Sequence, residues 1–395
     1  MRTFSSRSWR IVALVGVVAV IGAACGGGKK EETTGPIKIG VETALSGPSG
    51  AFGPPIVNAA KLAVDRINAA GGVLGRQLVL EIGDEASDVK TAALVAERLI
   101  TKDKAAVLIS MQSSAARDAI VPIVQRTGAL YIYAPLYEGG ACLRNMFLLG
   151  EVPQQYEPVF PYVMQTLGGN SWYFVGDDYV WPQKTNAQAQ KAIEAAGGTV
   201  AGQVLVPLGT NEYAEILNKI QSSGAKHILL TLVGTDTEAF IKAWRAFGLN
   251  TSTDAITLAL TDNQLPSLGP DAEGVYSVFA YFNGLETQQN ESYLKDYVST
   301  FGSAAPQQTT LSEGVYDAIW LWKLAVEKSG SIDPKAVEKA LPGTTFNDAP
   351  RGAITIDPKT HHISQHIYLV KAGADDKYHL VKDFGEIAPG PQCNF

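Results

Sequence analysis

The stretch that most restricts how this chain can fold runs from Val107 to Gly140. It reads as strand, polar turn, helix, strand and aromatic turn. Val107 to Ser110 is apolar on both faces, as a parallel strand between two helical layers must be. Ser113 or Ser114 is placed to cap the next helix, whose Ile120, Val121, Ile123 and Val124 supply the apolar side. The following strand, Ala129 to Ala134, returns to the same edge and brings Tyr133, Pro135, Tyr137 and Glu138 with it. Small ligands are held at the carboxyl edge of such sheets. A helix start there favours an oxygen-bearing group, and Gln112, Ser113 and Ser114 stand beside it. Taken singly, each of these residues reads equally well as part of a capped surface helix with buried tyrosines, so the rest of the chain has to decide.

The same alternation recurs on both sides. Before it lie strand Ile37 to Thr43, a helix from about Phe52 to Ala70, strand Gln77 to Asp84 and helix Val89 to Lys102. After Val152-Pro153 a second series begins with helix Tyr156 to Leu167, strand Trp172 to Gly176 and helix Gln183 to Ala196, and continues to a helix over Thr235 to Phe247. Repeated βαβ units predict an α/β fold with doubly wound parallel sheets. Two series in 395 residues predict two lobes and a cleft. The expected division is residues 37–152 with 283–346 in one lobe and 153–282 with 347–395 in the other, joined by a hinge of several crossings. The second lobe's turns would bring Tyr179, Trp181, Thr235, Asp236 and Asp262 to the cleft. Phe52 sits in the glycine-rich turn Leu45 to Gly53, which lacks the GxGxxG spacing of a dinucleotide loop.

At the N-terminus, basic residues precede the apolar run Ile11 to Ile21 and the small residues Gly22-Ala23-Ala24-Cys25. The run is short for a bilayer span and reads as an export signal over 1–24. The small residues before Cys25 resemble a bacterial lipoprotein cleavage box, which implies lipidation of Cys25; an ordinary cut nearby is the alternative. Residues 25–36 then form a flexible tether. The net charge is −7 and becomes −10 when Arg2, Arg7 and Arg10 are removed. That balance speaks against nucleic acid or anionic lipid headgroups as partners. Cys142 and Cys393 remain, and outside the cytoplasm two such thiols are expected to pair.

Several segments carry a resemblance. They include Tyr137-Glu138-Gly139, the run Phe174 to Pro182, Ala195 to Val200, Val206-Pro207-Leu208-Gly209, Val233-Gly234-Thr235 and Pro350 to His362. Together they resemble the type I solute-binding proteins of ABC importers, in the branched-chain amino acid group and most closely its urea and short-chain amide branch. The resemblance implies a two-lobed receptor that closes on one solute and presents it to a permease and ATPase; no cofactor is expected, and the lipid on Cys25 is the one membrane attachment that the leader implies. It places Ser114 at a helix start facing the ligand, Tyr133 and Pro135 after the next strand, and Tyr179 on the second lobe. Gln112 and Trp181 depart from the aromatic residue and the tyrosine of amide-binding relatives.

A urea, amide or amino acid needs donors for its oxygen and acceptors for its N–H groups. Ser114 with backbone N–H would serve the first, and Glu138, Asp236 or Asp262 the second. Phe52, Tyr133, Tyr179 and Trp181 would close over the body of the solute. Asp177-Asp178 reads as a strand-end cap rather than a cation site. The spacing of His361, His362 and His366 suits zinc only on a helix, whereas Ile363, Ile367, Leu369 and Val370 read as strand. A ligand-sensing subunit is the competing function. A hydrolase is disfavoured because no GxSxG or HExxH pattern is present.

Overall fold

The computed structural model describes residues 35–393 and residue 395. The export signal, Cys25 and nearly all of the tether lie outside them. Five parallel strands build the first sheet: β1 (Ile37–Thr43), β2 (Leu78–Asp84), β3 (Val107–Met111), β4 (Tyr131–Tyr133) and β5 (Met146–Leu148), in the order β2-β1-β3-β4-β5. The second sheet holds β6 (Ser171–Asp177), β7 (Thr199–Val206), β8 (His227–Thr231), β9 (Asp254–Thr257) and β10 (Tyr276–Phe279), which run parallel. A short pair, β11 (Thr345–Phe346) with β12 (Ile354–Thr355), stands apart. The late β segment is a hairpin, β13 (Gln365–Ala372) and β14 (Tyr378–Ile387), added antiparallel beside β10.

Helices α1 (Gly53–Ala69), α2 (Val89–Glu97) and α3 (Ser114–Thr127) cover the first sheet. Helices α4 (Val159–Leu167), α5 (Val180–Ala195), α6 (Ala214–Ser223), α7 (Thr235–Ala246) and the single turn α8 (Leu265–Leu268) belong to the second series. The chain then supplies α9 (Gln288–Phe301), α10 (Thr310–Ser329) and α11 (Pro334–Ala340) to the first lobe, with α10 lying along α1. Every residue of β3 and of β8 is buried, which is why these central strands read as unbroken apolar runs.

Several element ends differ from the sequence reading, and two have a plain physical reason. The helix expected from Gln183 begins at Val180, with Pro182 in its first turn, where a missing N–H costs nothing. The helix expected to reach Lys102 stops at Glu97 and continues as one wider turn, Arg98–Lys102. Gly128 ends α3 in the left-handed region at φ 68°, as a glycine after a helix readily does.

The chain passes between the sheets after β5, after β10, after β12 and again after β14. Buried polar side chains tie these passages together. Glu151 accepts from the backbone N of Ala280 (2.7 Å) and from Thr310 Oγ1 (2.8 Å). Arg351 pairs with Glu313 and Asp317 of α10 and donates to Gln365 Oε1 (2.7 Å), which leads on to Gln155. Glu313 is thus an ion-pair partner at the hinge.

Two links run across the expected boundary between residues 283–346 and 347–395. Hydrogen bonds between β11 and β12 hold residues 345–355 together beside α10. After β14 the tail returns to the first sheet, where Cys393 is disulfide-bonded to Cys142. There the N–H of Leu148 donates to the carbonyl of His361 (3.0 Å), covering the open edge of β5. The His361 ring is stacked between Phe147 (4.4 Å) and Phe395 (4.1 Å).

Candidate functional site

The carboxyl ends of both sheets face one cavity of about 190 Å³. An apolar void of roughly 150 Å³ is enough for benzene, so the space suits one ring or a short branched chain. Eight residues singled out from sequence line it: Phe52, Gln112, Ser113, Ser114, Tyr133, Pro135, Tyr179 and Trp181.

Local chemistry sets the first lobe's side. Ser113 is the N-cap of α3, and its Oγ accepts from the N–H of Ala116 (3.3 Å) while its carbonyl accepts from Arg117 (3.0 Å). The N–H groups of Ser114 and Ala115 precede any intrahelical acceptor and sit where Ser114 and Ala115 line the cavity. Tyr133 ends β4 and donates to the carbonyl of Gln112 (3.0 Å), which fixes the two turns against each other.

The carboxylates proposed as acceptors are otherwise engaged. Glu138 does not line the cavity. Arg117 grips it from behind, donating to Oε1 at 2.6 Å and to Oε2 at 3.2 Å, and Ser114 Oγ donates to it at 2.7 Å. The Arg117 guanidinium also lies over the rings of Tyr133 (5.3 Å) and Tyr137 (4.9 Å). Tyr137 is buried, its hydroxyl donating to the carbonyl and accepting from the N–H of Ala141. Asp236 is consumed by the N–H groups of Gly209 (2.7 Å) and Thr210 (3.0 Å), and Thr235 donates to its other oxygen. Asp262 accepts from the N–H of Asn283 (3.0 Å), and burial pushes its carboxyl up to about 7. Tyr137, Glu138, Thr235, Asp236 and Asp262 therefore support the walls without lining them.

On the second lobe Tyr179 immediately precedes α5 and Trp181 lies in its first turn, their ring centroids 6.3 Å apart. Asp177 accepts from the N–H of Val233 (2.8 Å), and burial with Asp236 nearby pushes it up to about 8. The lobes touch at the rim, where Asn263 Nδ2 donates to the carbonyl of Ala51 (2.9 Å). Gly234 faces Pro48 there at φ +57°, and a Cβ on it would lie 2.6 Å from the Pro48 oxygen.

Sequence reasoning missed Thr43, Glu85, Ser87, Met111, Leu208, Phe279 and Leu311, which also line the cavity. Thr43 and Glu85 stand at the ends of β1 and β2, so the rule that ligands sit at carboxyl edges, applied to every strand, would have found them. Glu85 is 3% exposed, and burial, then Asp84, pushes its carboxyl up to about 7. The histidines do not converge. His362 is buried against Tyr137 and pushed down to about 3 by burial, and His366 faces Asp383 on the outer hairpin. Among the described residues no group of three or more His, Cys, Asp or Glu side chains is arranged to hold a metal, and no helix is long and apolar enough to cross a membrane.

Comparison with known proteins gives a consistent picture. A family model described as periplasmic binding protein matches residues 36–377. The Leu/Ile/Val-binding protein homolog 6 of Brucella abortus (strain 2308) is 32% identical over 198 residues, 49% of this chain and 50% of that relative. The chain thus spans about half the length of that relative. The Leu/Ile/Val-binding protein BraC3 of Rhizobium johnstonii is 26% identical over 313 residues, covering 77% of this chain and 83% of the relative. Among solved structures, a solute-binding protein of an ABC transporter from Rhodopseudomonas palustris BisB5, in complex with 3,4-dihydroxybenzoic acid, superposes with a TM-score of 0.81 at 22% identity, covering 90% of this chain and 99% of that one.

Proposed function

The chain belongs to the periplasmic binding protein family, and from that premise we propose that it is the extracytoplasmic solute-binding subunit of an ABC importer. It takes one small solute per chain into the cleft and hands it to a membrane permease. The observation that carries this reading is the cavity between the two sheets, walled by aromatic side chains of both lobes and by the start of α3. An oxygen of the solute meets the N–H groups of Ser114 and Ala115, where the helix dipole favours it. Phe52, Tyr133, Tyr179 and Trp181 cover its body, and no step of covalent chemistry is involved.

The wall supports a solute with an apolar portion over bare urea. Branched-chain amino acids, named for the curated relatives, and aromatic acids, named for the structural one, both have the right bulk. Short-chain amides remain in the proposal through the resemblance of Tyr137-Glu138-Gly139 and Phe174 to Pro182. Calorimetry with urea, short amides, amino acids and aromatic acids should give saturable heat at one site per chain for at least one class. Silence across the whole screen rejects solute binding. Cys25 is proposed as the lipid attachment point, so Cys25→Ser should release the protein from membranes into the soluble fraction.

A further inference from the structure

Three polar groups at one corner of the cavity have no role in the reading above. Thr43, Glu85 and Gln112 all line it. They follow or end β1, β2 and β3, which are neighbours in the order β2-β1-β3, so the three form a row along the sheet edge. Thr43 is 0% exposed, Glu85 3% and Gln112 8%. Thr43 Oγ1 and Gln112 Oε1 have no hydrogen-bond partner among the described residues. Gln112 is oriented by its Nε2, which donates to Glu42 Oε2 (3.4 Å), and this turns its carbonyl oxygen away from Glu42.

Buried oxygens without partners are costly to leave that way, at roughly 1–3 kcal/mol each. A carboxyl and a hydroxyl at the ends of neighbouring strands can both accept from a group with several N–H donors. Glu138, Asp236 and Asp262 do not line the cavity: Arg117 holds Glu138, the N–H groups of Gly209 and Thr210 hold Asp236, and the N–H of Asn283 holds one oxygen of Asp262. Asp178, which also lines the cavity, is exposed and accepts from Gln183.

Glu85 lies two strands from β3, a lateral separation of roughly 10 Å at about 4.8 Å per strand. An ammonium adjacent to an oxygen head held at Ser114 and Ala115 would not span that distance. Between the two ends the wall is apolar, formed by Ala44, Met111 and Phe52.

Resting on the solute-binding reading, we propose that Glu85 and Thr43 form a subsite for a primary ammonium carried several bonds away from the solute's oxygen-bearing head. The preferred solute class is then a carboxylate or amide with a remote amine.

The test uses matched pairs on the mature protein by calorimetry: 5-aminopentanoate against hexanoate, and 4-(aminomethyl)benzoate against 4-ethylbenzoate, with L-leucine as a solute bearing an α-amine alone. Charge-assisted hydrogen bonds predict that the amines bind roughly ten- to a hundredfold more tightly than their partners. Glu85→Gln should shrink that ratio while leaving the amine-free partners unchanged or tighter. Thr43→Val, nearly the same shape, should shrink it less and guards against a folding defect in the first variant. Amine-free partners or L-leucine binding as tightly as the remote amines would overturn the subsite and leave solute binding standing. No saturable heat with these probes or with the wider screen would reject solute binding and the subsite with it.

Discussion

The edges of the two sheets that face each other across the cleft are built on opposite principles. On the first lobe, the start of α3, Gln112, Thr43 and Glu85 offer polar groups toward the cavity. On the second, the conspicuous acids are turned inward, with Asp177 bonded to the N–H of Val233 and Asp236 to those of Gly209 and Thr210. What that edge presents instead includes Tyr179, Trp181, Leu208 and Val233. Under the proposed function, one half orients the solute and the other excludes water, although both halves arise from the same strand-helix alternation.

The largest expected effect tests the foundation of the polar side. Arg117→Ala leaves Glu138 buried without its cation and should destabilise the protein by about 3–5 kcal/mol in denaturant unfolding. A change below 1 kcal/mol would mean that the pair does not organise this edge. The apolar side is tested by Tyr179→Ala, which should weaken solute binding by roughly 1–3 kcal/mol with folded stability nearly unchanged. If stability falls and affinity does not, Tyr179 is core and the contrast fails.

Closure itself is probed by Gly234→Ala. Its methyl would meet the Pro48 oxygen at 2.6 Å, so affinity should drop about tenfold, near 1.4 kcal/mol, mainly through faster release. Unchanged affinity would mean that the rim contact is not part of the bound form.

The last effect, at most as large as that one, is in pH. Burial, then Asp84, raises Glu85 from an ordinary 4.5 to about 7. It sits beside Glu42 on β1, Asp84 on its own strand and Asp88 at the start of α2. The folded carboxyl holds its proton across that window while the unfolded one does not, so its contribution to stability declines as pH rises from 4.5 toward 7. An ammonium needs the ionised form, so amine affinity should rise by up to about tenfold, roughly 1.4 kcal/mol, between pH 6 and 8, with a proton released on binding. Calorimetry in buffers of different ionisation heat measures that proton. A flat profile would separate Glu85 from the ammonium.

The alternation of apolar runs with capped helices carried the fold, because parallel strands such as β3 and β8 must be apolar throughout and their connections must be helices. The aromatic wall was legible for the same reason, since residues just past strand ends share one edge. The acceptors were not. Nothing around Glu138 announces that Arg117, a full helix earlier, neutralises it, and nothing around Asp236 reveals that the backbone of Gly209 turns toward it. Local sequence shows which residues carry charge, whereas the partner that satisfies each charge is a matter of three-dimensional neighbours. Glu85 carries no such local signal, because it lies one residue past a plain strand and outside the turns rich in glycine and aromatics.

The covered edge of β5 bears on how such a molecule survives in company. A strand with bare N–H groups invites a neighbour to add itself, and a protein at high local concentration would meet such neighbours constantly. With His361 occupying that seat and the Cys142 to Cys393 bond fastening the tail beside it, material made in a reducing cytosol would carry a loosened flap. Batches differing only in oxidation state should therefore differ in their tendency to aggregate.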